Sequence, residues 1–120
     1  MGDYRVILRR LALRDDRYID ALLAEEQTAA AVSELDPRGH ALVRIGALIA
    51  ADAAPPSYMS AVEDALDAGA TYDQIVGTLI AVLPVVGVAR VVSAAPNLGL
   101  ALGYDVGAAL EAVDKELPLQ

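Results

Sequence analysis

Residues 71–86 read TYDQIVGTLIAVLPVV, and this stretch decides the fold class. Thr71 and Gln74 have the spacing of a capping box, in which the two side chains satisfy N–H groups at the start of a helix. The residues that follow are apolar on nearly every face of such a helix. A helix of that kind is normally surrounded by other helices, so we predict a central, buried helix. Pro84 predicts a kink or break near 83–87.

Further helix signals lie on both sides of this stretch. Apolar periodicity, caps and breakers predict helices over about 4–13, 17–34, 37–51, 57–68, 88–102 and 106–117, the last ended by Pro118. Acidic or hydroxyl side chains suited to helix caps precede several of them: Asp15 or Asp16, Asp36, Ser57 and Asp105. Residues 4–13 also alternate like a short strand, so both interpretations stay open there. The pattern as a whole predicts an all-α bundle of about six to seven helices.

The length and composition suit one small domain. We divide its 120 residues into an N-terminal helical extension (1–34), a core (35–105) and a C-terminal helix (106–120). Apolar residues make up 56% of the chain, including 24 alanines, and this exceeds the usual share of about 45–50%. The surplus, together with glycines at 99, 103 and 107, suggests close contacts either within the subunit or between subunits. We therefore predict a homo-oligomer.

Several classes of function are excluded or disfavoured by composition. Without cysteine there is no thiolate nucleophile, and with one histidine there is no standard zinc site. A net charge of −8 argues against nucleic-acid binding. The longest uncharged runs are too short or too interrupted to span a membrane, and arginines interrupt the N-terminal segment where a signal peptide would need an apolar run, so we expect a cytoplasmic protein. Phosphate-binding and dinucleotide-binding motifs are absent, and we predict no cofactor and no metal.

Residues 35–104 resemble the carboxymuconolactone decarboxylase family and its alkylhydroperoxidase-D-like relatives. The likeness is carried by LDPR at 35–38, LVR at 42–44, ALDAGAT at 65–71 and the run DQIVGTLIAVLPVVGVARVVSA at 73–94. The resemblance implies an all-α fold that assembles into trimers or hexamers. It also implies one of two chemistries, which are peroxide reduction by a Cys pair with His and Glu, or decarboxylation of a lactone acid.

The reactive residues of that family do not carry over to this chain. The two Cys positions fall at Ala54 and Ser57, and the His position falls at Ala61. The Glu position falls at Ala41 or Leu42. Thiol peroxidase activity is therefore excluded, and lactone decarboxylation would need relocated residues.

Four residues stand out as candidates for a site. Arg90 is the only charged residue between 73 and 105, and we expect it to be buried, where it either clamps a carboxylate ligand or pairs with an acidic residue. Ser57 either donates to a ligand or caps a helix, and Tyr58 closes a pocket. His40 is either an acid or base beside a pocket, or an exposed residue in the first turn of its helix.

Three functions follow as hypotheses. The first is a catalytically divergent family member that binds a small apolar or carboxylated molecule through Arg90, Ser57 and Tyr58. The second is an active cofactor-free decarboxylase or isomerase, a lyase on a small organic acid or lactone, with His40 or Arg90 as its catalytic group. The third is a non-catalytic oligomerisation module.

Overall fold

The computed structural model of the chain describes residues 3–116, without the side chains of 114–116. This part of the chain is all-α, as predicted, and it contains eight helices and no strand. The helices are α1 (Tyr4–Ala12), α2 (Asp16–Ala24), α3 (Glu26–Ser33), α4 (Pro37–Ala51), α5 (Pro55–Asp67), α6 (Tyr72–Val86), α7 (Val88–Ala101) and α8 (Val106–Glu116). Residues 4–13 are therefore helical rather than extended. The expected stop at Leu117 and Pro118 lies outside the described residues.

Local side-chain caps start four of these eight helices where the sequence predicts. Asp15 accepts from the Tyr18 N–H at 3.2 Å, and Asp36 accepts from the Gly39 N–H at 2.6 Å. The capping box at Thr71 is complete, with both of its hydrogen bonds at 3.0 Å. Asp105 caps α8 with one side-chain hydrogen bond, as Asp15 and Asp36 do for their helices. Each cap satisfies an N–H group that has no partner within its helix, which is worth about 1 kcal/mol.

Two boundaries differ from the prediction. The single helix expected over 17–34 is broken at Glu25, whose extended backbone ends α2 and begins α3. No glycine or proline marks this break, and α2 and α3 contact each other across it. Ser57 is not a cap, because α5 already begins at Pro55 after Ala54. Two prolines at the start of α5 have no N–H groups to satisfy, which reduces the need for a side-chain cap.

The chain forms two compact units, Met1–His40 and Ala41–Gln120. The first unit contains α1 to α3 and the first turn of α4, and none of its described residues is buried. The second unit contains the rest of α4 and α5 to α8. Its core is built from aliphatic side chains and one tyrosine; the largest fully buried side chains are Tyr58, Ile45, Ile49, Ile75, Leu98 and Val62. The chain's core therefore lies in the second unit.

The helix that was expected to be buried on every face is buried on one side only. In α6, Ile75, Thr78 and Leu79 are buried, whereas Ile80 is 70% exposed and Val85 is 86% exposed. The expectation was wrong because α6 packs against α5 and α7, and these neighbours cover only one of its faces. The apolar sequence of α6 indicates that its surface favours contact with other apolar groups. It does not indicate whether those groups belong to the same chain.

The helical path is interrupted between α6 and α7, within the interval 83–87 that the sequence predicted. The interruption lies at Gly87, which has a φ of +92°, and Pro84 lies inside the last turns of α6. The Gly87 N–H donates to the Leu83 carbonyl at 3.0 Å and ends the helix. A left-handed backbone of this kind favours glycine. None of the helices in the described part of the chain is long and apolar enough to cross a membrane.

The three regularly spaced glycines do not lie along one helix. Gly99 belongs to α7, Gly103 has a φ of +85° in the turn after it, and Gly107 belongs to α8. A Cβ atom at Gly99 would lie 2.9 Å from the Tyr104 carbonyl oxygen. Gly99 therefore permits the chain to turn back closely within the subunit.

Candidate functional site

Asp52 links the end of α4 to α7. Its Oδ2 lies 3.3 Å from Nη1 of Arg90, and its Oδ1 accepts a hydrogen bond from the Ser93 hydroxyl at 2.9 Å. Asp52 has a φ of +52°, a left-handed conformation that aspartate tolerates better than most residues. Through its two carboxylate oxygens, Asp52 therefore holds α7 close to the end of α4.

Arg90 is half-exposed rather than buried, which corrects the expectation from sequence. The side chains of Arg90 and Asp52 are 48% and 47% exposed. The guanidinium reaches solvent because Arg90 lies in the first turn of α7, close to Gly87, where α6 ends. Of the two roles considered for Arg90, the geometry shows pairing with an acidic residue of the same chain.

Tyr58 is part of the core rather than the wall of a pocket. Its side chain is 1% exposed, and its hydroxyl donates to the Leu48 carbonyl at 3.2 Å. Loss of hydration raises the pKa of the Tyr58 phenol, and the negative charge of Asp52 raises it further. Tyr58 thus joins α5 to the end of α4 as a neutral donor.

Ser57 lines a groove between α4 and α5. The groove has a volume of about 500 Å³, and its wall combines small apolar residues with charged and hydroxyl groups. Its lining residues are Arg44, Ala47, Leu48, Pro56, Ser57, Ser60, Ala61 and Asp64. Ser57 and Ala61 therefore face the same groove, although neither Arg90 nor Tyr58 belongs to its lining.

His40 lies in the first turn of α4, at the end of the first unit, and is partly buried. Its backbone N–H donates to the Asp36 carbonyl at 2.9 Å. The four residues singled out by sequence therefore have different surroundings. Arg90 and Tyr58 are close to Asp52, Ser57 lines the groove between α4 and α5, and His40 belongs to the other unit.

A second groove, between α4 and α6, was not anticipated. Its volume is about 520 Å³, and its wall is almost entirely apolar. It is lined by Leu42, Val43, Gly46, Gln74, Gly77, Thr78, Ala81 and Val82. A Cβ atom at Gly46 would lie 3.3 Å from the Val82 side chain, whereas one at Gly77 would meet nothing within 4 Å. Gly46 leaves room for the Val82 side chain, and Gly77 leaves space open.

The two polar side chains that line this second groove each make a hydrogen bond within α6 or to its N-cap residue. The Gln74 carbonyl oxygen accepts from the Thr71 N–H, and the Thr78 hydroxyl donates to the Ile75 carbonyl at 2.6 Å. The groove therefore offers few hydrogen-bonding groups to a ligand and suits an apolar one. The signal that could have revealed it is a pair of glycines inside helices, at 46 and 77, where glycine costs stability of about 0.5–1 kcal/mol.

Comparison with known proteins does not supply an assignment. No family model, curated protein or solved structure matches this chain. The two grooves and the residues that line them are therefore the features from which a function can be inferred.

Proposed function

We propose that this protein is a catalytically divergent relative of the carboxymuconolactone decarboxylase-like proteins that binds a small apolar molecule in the groove between α4 and α6. The observation that carries this proposal is the apolar wall of that groove, whose polar groups bond to their own helix. Its volume of about 520 Å³ lies within the range of about 300–1,000 Å³ typical of ligand pockets. An apolar ligand is favoured over a carboxylated one because the expected carboxylate clamp, Arg90, pairs with Asp52.

The proposal includes assembly into a homo-oligomer. The chain exposes many large apolar side chains, among them Ile80, Val85, Val88 and Val92 on α6 and α7. Exposed apolar surface of this kind is typical of sites that contact another molecule. Thiol peroxidase chemistry is not part of the proposed function, because the sequence contains no cysteine.

A neutral fluorescent naphthalene, N-phenyl-1-naphthylamine, tests the groove directly. We expect saturable binding to the wild-type chain and at least a tenfold loss of affinity in Gly77→Leu, because the new side chain would occupy the open space beside Gly77. Gly107→Leu on α8 is the matched control and should bind like wild type. Equal binding to all three proteins would refute the assignment of this groove, and stronger binding of benzoate than of benzene would refute the choice of an apolar ligand.

A second candidate function is cofactor-free decarboxylation or isomerisation of a small lactone acid in the groove between α4 and α5. The observation that favours it is the presence of a cation and a carboxylate, Arg44 and Asp64, beside Ser57. Release of carbon dioxide from carboxymuconolactone-type acids is the test. Activity that is lost in Asp64→Asn while the circular dichroism spectrum is unchanged would support this candidate, and no turnover by the wild-type chain would exclude it for those acids.

A further inference from the structure

The first unit contains a cavity of its own, lined by residues of α1, α2 and α3. Its volume is about 600 Å³, which lies within the range typical of ligand pockets. Four aliphatic side chains form its apolar wall: Val6, Ile7, Ala31 and Val32. Val6 and Ile7 are only partly buried, and none of the described residues of this unit is fully buried. The cavity therefore takes the place of a closed core among these three helices.

Arg10 supplies the cation of this cavity. Its guanidinium lies over the ring of Tyr18, which also lines the cavity, with Cζ 5.1 Å from the ring centroid. This distance is that of a cation–π contact, which orients the guanidinium but leaves the N–H groups at its edge able to donate to a carboxylate. Within the part of the chain that the structure describes, no acidic residue forms an ion pair with Arg10.

Glu34 supplies a carboxylate to the same cavity. It follows the last residue of α3, and no described cation forms an ion pair with it. The other acidic residue of the lining, Asp3, is already engaged, because its two oxygens accept from the Arg5 guanidinium at 3.2 Å. The cavity therefore presents one cation and one carboxylate that pair neither with each other nor with another described residue.

Opposite charges in one cavity favour a ligand that carries both. A ligand with a carboxylate alone would be repelled by Glu34, and a ligand with an ammonium group alone would be repelled by Arg10. A zwitterion can pair with both residues, and an apolar group attached to it would contact the aliphatic wall. We propose that this cavity binds a free amino acid with an apolar side chain, its carboxylate on Arg10 and its ammonium group on Glu34.

Isothermal titration calorimetry with ligands of similar shape tests this assignment. L-phenylalanine carries both charges, phenylpropionate lacks the ammonium group, and phenethylamine lacks the carboxylate. We expect L-phenylalanine to bind the wild-type chain at least tenfold more tightly than either analogue. If neither L-phenylalanine nor L-leucine binds saturably, or if one analogue binds as tightly as L-phenylalanine, the proposal is wrong.

Two variants test the role of each charge. Arg10→Gln should weaken the binding of L-phenylalanine at least tenfold without weakening that of phenethylamine. Glu34→Gln should weaken L-phenylalanine without weakening phenylpropionate, and this exposed position decides the matter if Arg10→Gln alters the circular dichroism spectrum. Arg9→Gln is the matched control, because Arg9 is an exposed arginine of α1 that does not line the cavity. Equal losses in Arg9→Gln and Arg10→Gln would overturn the proposal.

Hydrogen exchange locates the bound amino acid. L-phenylalanine should slow the exchange of amides in α1 and α3, because a ligand of the folded unit makes its opening less frequent. It should not displace the naphthalene probe, whose groove belongs to the second unit. Unchanged exchange in α1 to α3, or displacement of the probe, would overturn this inference and leave the proposed function intact. Failure of the probe to bind would overturn only the proposed function.

Discussion

Single side chains around Asp52 show how one carboxylate organises the end of a helix. Asp52 takes a left-handed backbone, accepts from Ser93 and pairs with Arg90, and its charge adds to the effect of burial in raising the pKa of the nearby Tyr58 phenol. The ion pair of Asp52 and the hydrogen bond of the Tyr58 phenol differ in how much they stabilise the fold, because the ion pair is half-exposed and the phenol is buried. Water screens the pair, whereas the hydrogen bond of the phenol is partly buried.

Tyr58→Phe tests the buried hydroxyl. The substitution removes one hydrogen bond to the Leu48 carbonyl, which still accepts from the Ala53 N–H at 3.1 Å, and we expect a loss of about 0.5–1.5 kcal/mol in the free energy of unfolding measured with urea. Tyr104→Phe is the control, since Tyr104 is exposed, and it should change stability little. Equal effects of the two substitutions would contradict the role given to the Tyr58 hydroxyl.

The same variant predicts a pH dependence. Because the pKa of Tyr58 in the folded chain is raised above its ordinary value of 10.0, the unfolded chain releases this proton first as the pH rises. The stabilisation is fully present below pH 10.0 and is lost as the pH rises through the folded-state pKa. As the pH rises above 10.0, wild type should therefore lose more stability than Tyr58→Phe in urea titrations. Parallel loss in both proteins would show that other groups control the alkaline limit.

Arg90→Gln tests the ion pair. Because both partners are about half-exposed, we expect a loss of less than about 1 kcal/mol, and a smaller one in 1 M sodium chloride. Binding of the naphthalene probe should be unaffected, since Arg90 does not line the apolar groove. A variant that folds normally but no longer binds small carboxylates would instead restore the anion-clamp role that was considered from sequence.

At the scale of whole helices, features set by neighbouring residues can be separated from features set by residues far along the chain. The capping box at Thr71 begins α6 where its residue types predict, because the donors and acceptors are three residues apart. The faces of α6 were not predictable in the same way. Ile75 and Ile80 have equally apolar side chains, yet one is buried and the other exposed, because only one of them faces the other helices of its unit.

Two glycines, Gly87 at the end of α6 and Gly77 inside it, should show opposite changes in stability when each is replaced by alanine. Gly87→Ala should destabilise by about 1 kcal/mol or more, because a φ of +92° is strained for a residue with a Cβ atom. Gly77→Ala should stabilise by about 0.5–1 kcal/mol, because Gly77 is helical and a Cβ atom there meets nothing within 4 Å. Thermal unfolding of both variants provides the measurement. The same sign for both would contradict the backbone assigned to one of them.

At the scale of the whole molecule, burial is unevenly divided along the chain. The described residues of Met1–His40 contain no buried side chain, whereas Ala41–Gln120 contains the clustered core. A segment with few buried apolar groups opens more easily than one with many. The helices of the first unit should therefore open more easily than those of the second unit.

Hydrogen exchange should reveal this difference. Amides of α1 to α3 should exchange much faster than those of α5 to α7, because the described residues of the first unit include no buried side chain. Uniform protection along the chain, read by mass spectrometry of peptide fragments, would contradict this division.

The sequence by itself determined the features that depend on neighbouring residues. Its composition excluded thiol chemistry, and its caps and breakers predicted the all-α class and most helix starts, because such contacts span only three or four residues. Only the tertiary structure decided which faces are covered, where the apolar groove lies and what Arg90 contacts. The reason is distance along the chain: Ser93 and Asp52 are 41 residues apart and meet only because α7 returns to the end of α4.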